Sequence, residues 1–210
     1  MFAKLARLFR GATAGSSTPR GLDRVEDLQA GDLVQFALLD LPELSGQRLE
    51  VTAVNTYRYG GGPEEHEWQL TGPAGEVLYL AVEADDERWL AVSRKLSRAE
   101  VAGLFDLDAF AGVFDGPGNI ELRRNAGVAA LAAWTVDAYH QVASAQRGEF
   151  RSGRGGVERF DYYALESADE RFFVDAEVYA DGETEVAAGC YLPPRAIEQL
   201  WPRAGGRGSR

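Results

Sequence analysis

The chain has 210 residues, 45% of them hydrophobic, and a formal net charge of −11. This content supports a sizeable core in one domain or in two tightly joined halves. The single cysteine, Cys190, excludes an internal disulfide and fits a reducing cytoplasm. Residues 25–202 carry 14 basic and 32 acidic side chains, which argues against nucleic acid as a partner because phosphates are bound through Lys and Arg. The negative electrostatic field of this segment would attract a cationic ligand or a basic protein surface, although the negative charge could also serve only to keep the protein soluble.

Residues 2–10 have the pattern of a short amphipathic helix, with apolar and basic side chains on opposite sides. Such helices are typical of membrane interfaces, so we expect contact with a membrane surface or a protein partner. Docking on the protein's own body, or disorder, is the alternative. The residues expected to make the contact are Phe2, Lys4, Leu5, Arg7, Phe9 and Arg10.

Composition divides the chain into four segments. Residues 1–24 combine the basic helix with a Gly/Ser/Thr-rich linker, and residues 203–210 are a basic tail that we expect to be disordered. Between them, residues 25–115 are predicted to be a first β-rich repeat with short helices, and residues 116–202 a second β-rich repeat.

Alternating apolar residues, separated by Gly- and Pro-rich turns, predict a series of antiparallel strands. The predicted extended segments are 32–38, 49–59, 68–70, 77–82, 89–92, 120–123, 160–165, 171–179 and 183–191. In the ambiguous stretch 128–145 the second half is predicted as strand, because Trp134, Val136 and Ala138 alternate. Residues 146–156 are predicted as the tip of a hairpin.

Three short helices are predicted. Ser97 and Glu100 form a capping-box pattern at the start of the first helix. A second helix is predicted from Asp108, and a third from Pro193 through Trp201.

The strand pattern is written twice, and each copy would bury its apolar face against the other. We therefore predict a mainly β (α+β) fold in which two similar antiparallel meanders, or half-barrels, pack as a pseudo-duplicated body with a few short helices. Whether they close one barrel or pack as two stays open, and aromatic alternation in any meander offers coincidence as an alternative. The corresponding pairs are Val54 and Val136, Trp68 and Tyr163, Glu76 and Glu170, and Glu83 and Glu177.

The first copy contains elements that resemble those of a known family, with the departure that Tyr79-Leu80 stands where Trp-Leu is expected. These elements are Gly31-Asp32, Leu49 to Val54, Tyr57 or Tyr59, Trp68-x-Leu70, and Leu78 to Glu83. The sequence resembles the uncharacterised bacterial family named domain of unknown function four-one-seven-eight. Members accompany phage-shock-protein A-like membrane-remodelling proteins, small ion-channel-like proteins and polyamine-synthase-like enzymes. The resemblance implies an accessory role in envelope stress, in the cytoplasm or at the periphery of the inner membrane, and supplies no catalytic residue.

Motifs for enzyme chemistry are mostly absent from the sequence, and an enzyme is the least favoured alternative. Because Lys4 and Lys95 are its only lysines, no Gly-rich loop ends in the Gly-Lys-Ser/Thr of a phosphate-binding loop. His66 and His140, with the one cysteine, are too few ligands for a typical zinc site. We expect a non-enzymatic scaffold that works through protein or membrane contacts and needs no cofactor.

Acidic residues offer the alternative function of binding a small ligand between the repeats. Glu83 and Glu177 each end an apolar strand, so they are predicted either to line a pocket for a polyamine-like cation or to lie at the surface. A Ca²⁺ or Mg²⁺ site is a further alternative, although the spacing of its ligands is not that of a cation-binding loop and charged runs in turns are ordinarily solvated. Its ligands would be Glu64, Glu65, Glu67, Asp85, Asp86 and Glu87.

Three aromatic side chains near these acids could belong either to the core or to a ligand site. Trp68, Tyr79 and Trp89 are predicted to belong to the core rather than to a stacking platform for a ligand.

Overall fold

The computed structural model describes residues 20–84, 87–118, 120–126, 129–153 and 155–203. The proposed membrane or partner contact at residues 2–10 and the tail at 204–210 lie outside these ranges, as do Asp85 and Asp86.

Within these ranges the chain forms eleven strands and a few short helices. The strands are β1 (Leu33–Phe36), β2 (Arg48–Tyr59), β3 (Glu65–Thr71), β4 (Val77–Ala84), β5 (Arg88–Leu96), β6 (Glu121–Arg123), β7 (Ala138–Ser152), β8 (Glu158–Glu166), β9 (Phe172–Tyr179), β10 (Thr184–Leu192) and β11 (Ile197–Trp201). The α-helices are α1 (Arg98–Leu104) and α2 (Leu107–Ala111), and the 3-10 helices are Val25–Asp27, Gly112–Phe114, Ala129–Leu131 and Pro194–Ala196. None of the helices in the described residues has the length and apolar character needed to cross a bilayer.

Eight of the strands close a single antiparallel barrel in the order β2-β3-β4-β5-β10-β9-β8-β7. β2 and β7 pair to complete the ring, with Tyr57 opposite Phe150 and Tyr59 opposite Gly148. β1 extends the sheet beyond the first residues of β2 and carries β11 on its other side, while β6 pairs with β7. The predicted mainly β fold with few helices is confirmed.

The two halves of the chain follow the same strand order. Each has one short strand (β1 or β6) followed by a four-stranded meander, and the first and last strands of the two meanders pair with each other. Of the alternatives left open by the sequence, one shared barrel is therefore the observed arrangement.

The apolar core lies on the outside of the barrel in two clusters. In the first, Trp68 and Leu80 pack with Leu28, Leu44 and Trp134 from the connecting segments. The Trp68 indole also donates a hydrogen bond to the Leu28 carbonyl over 3.1 Å.

The second cluster lies under the helices of the middle of the chain. Leu104 and Phe105 from α1 and its end pack with Leu165 of β8 and Val174 of β9. Because both clusters cover outward faces of the barrel, the side chains that alternate with them are free to line its interior.

Of the three helices predicted from the sequence, two are confirmed and one is wrong. The capping box is confirmed, since the Ser97 hydroxyl accepts from the Glu100 amide over 3.2 Å and the Glu100 carboxylate accepts from the Ser97 amide over 2.7 Å. The second helix is confirmed as α2, which Asp106 caps. The third is wrong: after a single 3-10 turn the chain becomes β11, because β1 offers an unpaired edge that Ile197–Trp201 completes.

Of the two predictions near β7, the strand in the second half of 128–145 is confirmed, since β7 begins at Ala138, and the hairpin tip is wrong. Trp134 and Val136 precede the strand, and Trp134 is fully buried in the first cluster after the 3-10 turn at Ala129–Leu131. The supposed hairpin tip at 146–156 is mostly strand, since β7 continues to Ser152 and pairs with both β8 and β2. Barrel closure demands this length, because the end of β7 must reach β2.

The strand ladders also correct the alignment of the two copies. Trp68 pairs with Leu80, whereas Tyr163 pairs with Ala176. If Trp68 and Tyr163 correspond, then Glu83 and Glu177 are two residues out of register and are not equivalent positions.

Candidate ligand-binding site

A cavity inside the barrel, called the lumen below, is enclosed by strands of both halves. It has an outer part of about 310 Å³ and an inner part of about 70 Å³. The side chains that border both parts are Tyr57, Tyr59, Glu67, Tyr79, Ser93 and Asp175. They come from β2, β3, β4, β5 and β9, so neither half of the chain forms the lumen alone.

Strand alternation explains why acids point into this cavity. On β9, Asp175 and Glu177 line the lumen, whereas Val174 and Ala176 between them belong to the outer core. β3 shows the same alternation, with Glu67 inside and Trp68 outside. The period of two in each strand therefore brings carboxylates from opposite sides of the barrel into one space.

Each of three lumen carboxylates accepts a hydrogen bond from a neutral donor on the same or a neighbouring strand. Glu67 accepts from the Asn55 side-chain amide over 2.9 Å. Asp175 accepts from the Tyr162 hydroxyl over 2.9 Å, and Glu177 accepts from Tyr179 over 2.6 Å. The three acids are fixed in place, but these bonds do not neutralise their charge.

Burial makes these acids hard to ionise. Desolvation raises the pKa of Asp175 to about 8, and the nearby charge of Glu177 adds to the effect. The pKa of Glu67 rises to about 7, again through desolvation, although its hydrogen bond from Asn55 opposes the rise. The pKa of Glu177 is raised by the same desolvation. Near neutral pH, these pKa values favour the protonated form of Asp175 and leave Glu67 partly protonated.

Tyrosine rings form much of the lumen wall. The Tyr59 and Tyr162 rings have their centroids 4.9 Å apart, and Tyr57 packs on Phe150 at 5.0 Å. Desolvation raises the pKa of Tyr57, Tyr59 and Tyr162 well above 10, so their hydroxyls stay neutral. The wall combines π-faces with neutral hydroxyl groups.

The one lysine of the lumen is already paired. Among the described residues lining the two parts, Lys95 and His66 are the basic side chains. Lys95 forms an ion pair with Glu185, and its Nζ lies 5.3 Å from the centroid of the Tyr79 ring. Desolvation opposes its charged form, but the Glu185 hydrogen bond and the neighbouring acids raise its pKa overall. Lys95 therefore balances Glu185 and leaves the other acids unpaired with any basic side chain within the described part of the chain.

Glu83 and Glu177, the two acids predicted as ligand residues, both reach the lumen at different depths. Glu177 borders the inner part, whereas Glu83 borders the outer part and also a mouth cavity of about 560 Å³. Glu83 is exposed to solvent there, and partial desolvation raises its pKa. Glu83 and Glu177 therefore border the same lumen, but they border different parts of it.

The aromatic residues near the acids lie in three environments. Trp68 is buried in the core as expected. The prediction is wrong for Trp89, which is 38% exposed at the mouth cavity, and Tyr79 lines the lumen. Glu83 and Trp89 are opposite each other near the adjoining ends of β4 and β5, and this places the indole at the rim.

Sequence reasoning missed Asp175 as a site residue and named Glu67 only as a ligand of the divalent-ion alternative. Glu67 was grouped with the acidic turn before β3, although it lies inside that strand. Asp175 stands between Val174 and Ala176 in the middle of an apolar strand. A lone carboxylate flanked by core residues was the available signal, because a buried charge without a role is costly.

The divalent-ion alternative finds no support in the described residues. In that part of the chain, no three His, Cys, Asp or Glu side chains are grouped closely enough to hold a metal ion. Glu64 forms an exposed ion pair with Arg58 over 3.1 Å, whereas Glu67 faces the lumen. Asp85 and Asp86 lie outside the described residues.

The chain matches no family model, and comparison with curated proteins and with solved structures found no match. The resemblance to the bacterial family therefore stays a prediction, and the argument for function depends on the lumen.

Proposed function

We propose that this protein binds a small organic cation inside the barrel. The observation that carries the proposal is the set of acids in the lumen: Glu67, Asp175 and Glu177 border one cavity inside the barrel, while Lys95 is already paired with Glu185. A bound cation would compensate these acids, whose charged forms are otherwise disfavoured by burial.

The aromatic wall supports the same ligand class. Tyrosine faces attract cations, most strongly where water is displaced. Four tyrosines border the inner part of the lumen or lie next to it, and three of them border it directly: Tyr57, Tyr59 and Tyr79. A low-dielectric cavity also strengthens each carboxylate–cation attraction compared with bulk water.

The mouth cavity provides a route from solvent. Glu83 borders both the mouth and the outer lumen, and acidic side chains outnumber the one basic side chain, Arg171, among the residues that line the mouth. A cleft in which one sign of charge predominates raises the local concentration of oppositely charged ligands. Cations would thus be drawn from the mouth to the inner acids.

Calorimetric titration of the full chain with small amines tests the proposal. Binding of 1,4-diaminobutane should be lost when Glu67→Gln and Glu177→Gln are combined. Glu64→Gln is the matched control, because Glu64 is an exposed acid next to β3 that does not line the lumen. Absence of binding by every amine tested, or binding that survives the double substitution, would overturn the proposal. Titration with Mg²⁺ and Ca²⁺ distinguishes a metal from an organic ligand.

We propose as a second function that the chain is a bacterial accessory module for envelope stress, held at a membrane or partner by residues 2–10. The supporting observation is the separation of apolar and basic side chains along this segment. The resemblance to the bacterial family adds the envelope context and a place in the cytoplasm, at the inner membrane. This role is compatible with ligand binding in the barrel.

Flotation with anionic liposomes tests the second function. The full chain should float with the vesicles, and less so as salt rises, because the attraction of Lys4, Arg7 and Arg10 to anionic lipid is screened. A chain that lacks residues 1–12 should stay in solution. Equal flotation of the two proteins would show that this segment is not the anchor.

A further inference from the structure

Beside the lumen, next to Glu67, lies a buried hydrogen-bond acceptor that no described protein group satisfies. Asn55 is 4% exposed, and its amide nitrogen donates to Glu67, but its Oδ1 has no hydrogen-bond partner. On β2, Asn55 alternates in step with Tyr57 and Tyr59, so its side chain is on the lumen face. An unpaired buried carbonyl is costly, which makes this oxygen an acceptor prepared for a donor from outside the chain.

The carboxylates of the lumen, like the Asn55 carbonyl, can accept more hydrogen bonds than the surrounding side chains donate. An ionised carboxylate can accept about four hydrogen bonds. Glu67 and Asp175 each accept a single hydrogen bond from a described side chain. Glu177 accepts from Tyr179, and a hydrogen bond with Tyr57 also stabilises its charged form. The lumen therefore has more acceptors than donors once its acids are ionised.

The Lys95 ammonium and two tyrosine hydroxyls near the inner lumen are already used as hydrogen-bond donors. The Lys95 ammonium is directed to Glu185. The hydroxyls of Tyr162 and Tyr179 are used on Asp175 and Glu177. A ligand must consequently bring its own N–H groups to satisfy the inner lumen.

We propose that the ligand is a cation rich in N–H groups, a primary or secondary ammonium or a guanidinium, and that quaternary ammonium ions are rejected. This inference rests on the proposed function and names its ligand class. A quaternary ammonium would satisfy the charge and the tyrosine faces but would leave Asn55 Oδ1 and the inner carboxylates without donors. A site built to pair with N–H groups discriminates strongly against an analogue that lacks them.

The small volume of the inner lumen also favours a ligand with primary ammonium groups. The inner part is about 70 Å³ and is bordered by Glu67, Asp175 and Glu177. A primary ammonium is the smallest organic cation head, and it presents three N–H groups in different directions. The methyl groups of a quaternary head would hold the charge away from the carboxylates, which weakens their Coulomb attraction.

A pair of matched ligands tests the inference on the unmodified full chain. Calorimetric titration compares 1,4-diaminobutane with its analogue in which each nitrogen carries three methyl groups. We expect the diamine to bind at least about tenfold more tightly. Equal or tighter binding of the methylated analogue would overturn the inference while leaving the proposed cation-binding function standing. Absence of binding by both would overturn the two together.

A substitution at Asn55 gives a second readout. Asn55→Leu removes the orphan acceptor and should narrow the preference for the diamine over the methylated analogue. If this variant does not fold, Glu177→Gln replaces it, because the new amide supplies N–H donors and should likewise narrow the preference. Glu64→Gln should leave the preference unchanged, since Glu64 is outside the lumen. An unchanged preference in both lumen variants would contradict the role of these acceptors.

Discussion

The Tyr162 hydroxyl donates a hydrogen bond to Asp175 with 2.9 Å between the oxygens, and the two residues lie on neighbouring strands of the barrel. This bond favours the carboxylate, yet burial raises the pKa of Asp175 to about 8. Desolvation therefore outweighs hydrogen bonding at this position, and the proton on Asp175 links folding, pH and ligand binding.

The first prediction is that stability of the ligand-free protein falls as pH rises. Asp175 has a pKa of about 8 when folded and 3.8 as its ordinary value, so the folded state holds more protons between these limits. The contribution of Asp175 to the free energy of unfolding should decrease across this window and stay constant above it. Glu67, whose pKa rises from 4.5 to about 7, acts in the same direction.

Urea unfolding at pH 5, 7 and 9 measures this effect. Asp175→Asn should flatten the pH dependence, because the amide cannot ionise. Asp161→Asn, at an exposed position on the same hairpin, is the control and should keep the wild-type slope. A free energy of unfolding that increases from pH 5 to 9 would contradict the burial argument.

The second prediction concerns ligand affinity, which should change with pH in the opposite direction to stability. A cation binds the ionised acids, so its affinity should rise between pH 6 and 9 as Glu67 and Asp175 lose protons. Within this range, binding should release protons. Calorimetry of diaminobutane binding in buffers of different ionisation enthalpy measures that release, and proton uptake would be the opposite of the expected result.

The third prediction is that Lys95→Met increases cation affinity by about tenfold, because it removes a positive charge that borders the inner lumen. The same change should lower stability only slightly, since the Lys95–Glu185 ion pair that it removes is partly exposed to solvent. Lys95→Arg keeps the charge and serves as the control in both measurements. Unchanged affinity in Lys95→Met would mean that the ligand does not approach this end of the lumen.

Local sequence patterns predict the strands better than they predict how those strands meet. The alternation around Trp68 and Leu80 identifies β3 and β4, because each strand's outer face is apolar. Closure depends instead on the pairing of Tyr57 with Phe150, far apart in the chain. The sequence around Tyr57 does not indicate that it pairs with Phe150, nor does the sequence around Phe150 indicate Tyr57. The sequence-based prediction therefore ends β7 too early.

The candidate site depends on the same long-range arrangement. Glu177 and Glu83 are recognisable as acids at the ends of apolar strands. Their approach to Glu67 and Asp175 follows only when the two meanders share one interior. Inward and outward faces of a half-buried strand cannot be distinguished until the covering layers are known, and here the apolar side faces outward.

The fourth prediction concerns Gly189, where a glycine allows an aromatic ring to lie across the adjoining strand. Gly189 on β10 is opposite Phe173 on β9. A Cβ added at Gly189 would lie 2.2 Å from the Phe173 ring and 2.6 Å from the Val92 carbonyl oxygen. Gly189→Ala must therefore displace either a buried ring or the backbone of β5. We expect a loss of about 1–3 kcal/mol in the free energy of unfolding, the usual cost of overpacking.

Gly156→Ala is the matched control, because an added Cβ there meets nothing within 4 Å. Denaturant unfolding of the two variants separates the steric effect from the general change of glycine to alanine. Since Phe173 borders the outer lumen, Gly189→Ala should also weaken diaminobutane binding, whereas the control should not. Equal stability of both variants would show that the sheet relaxes around Gly189 without cost.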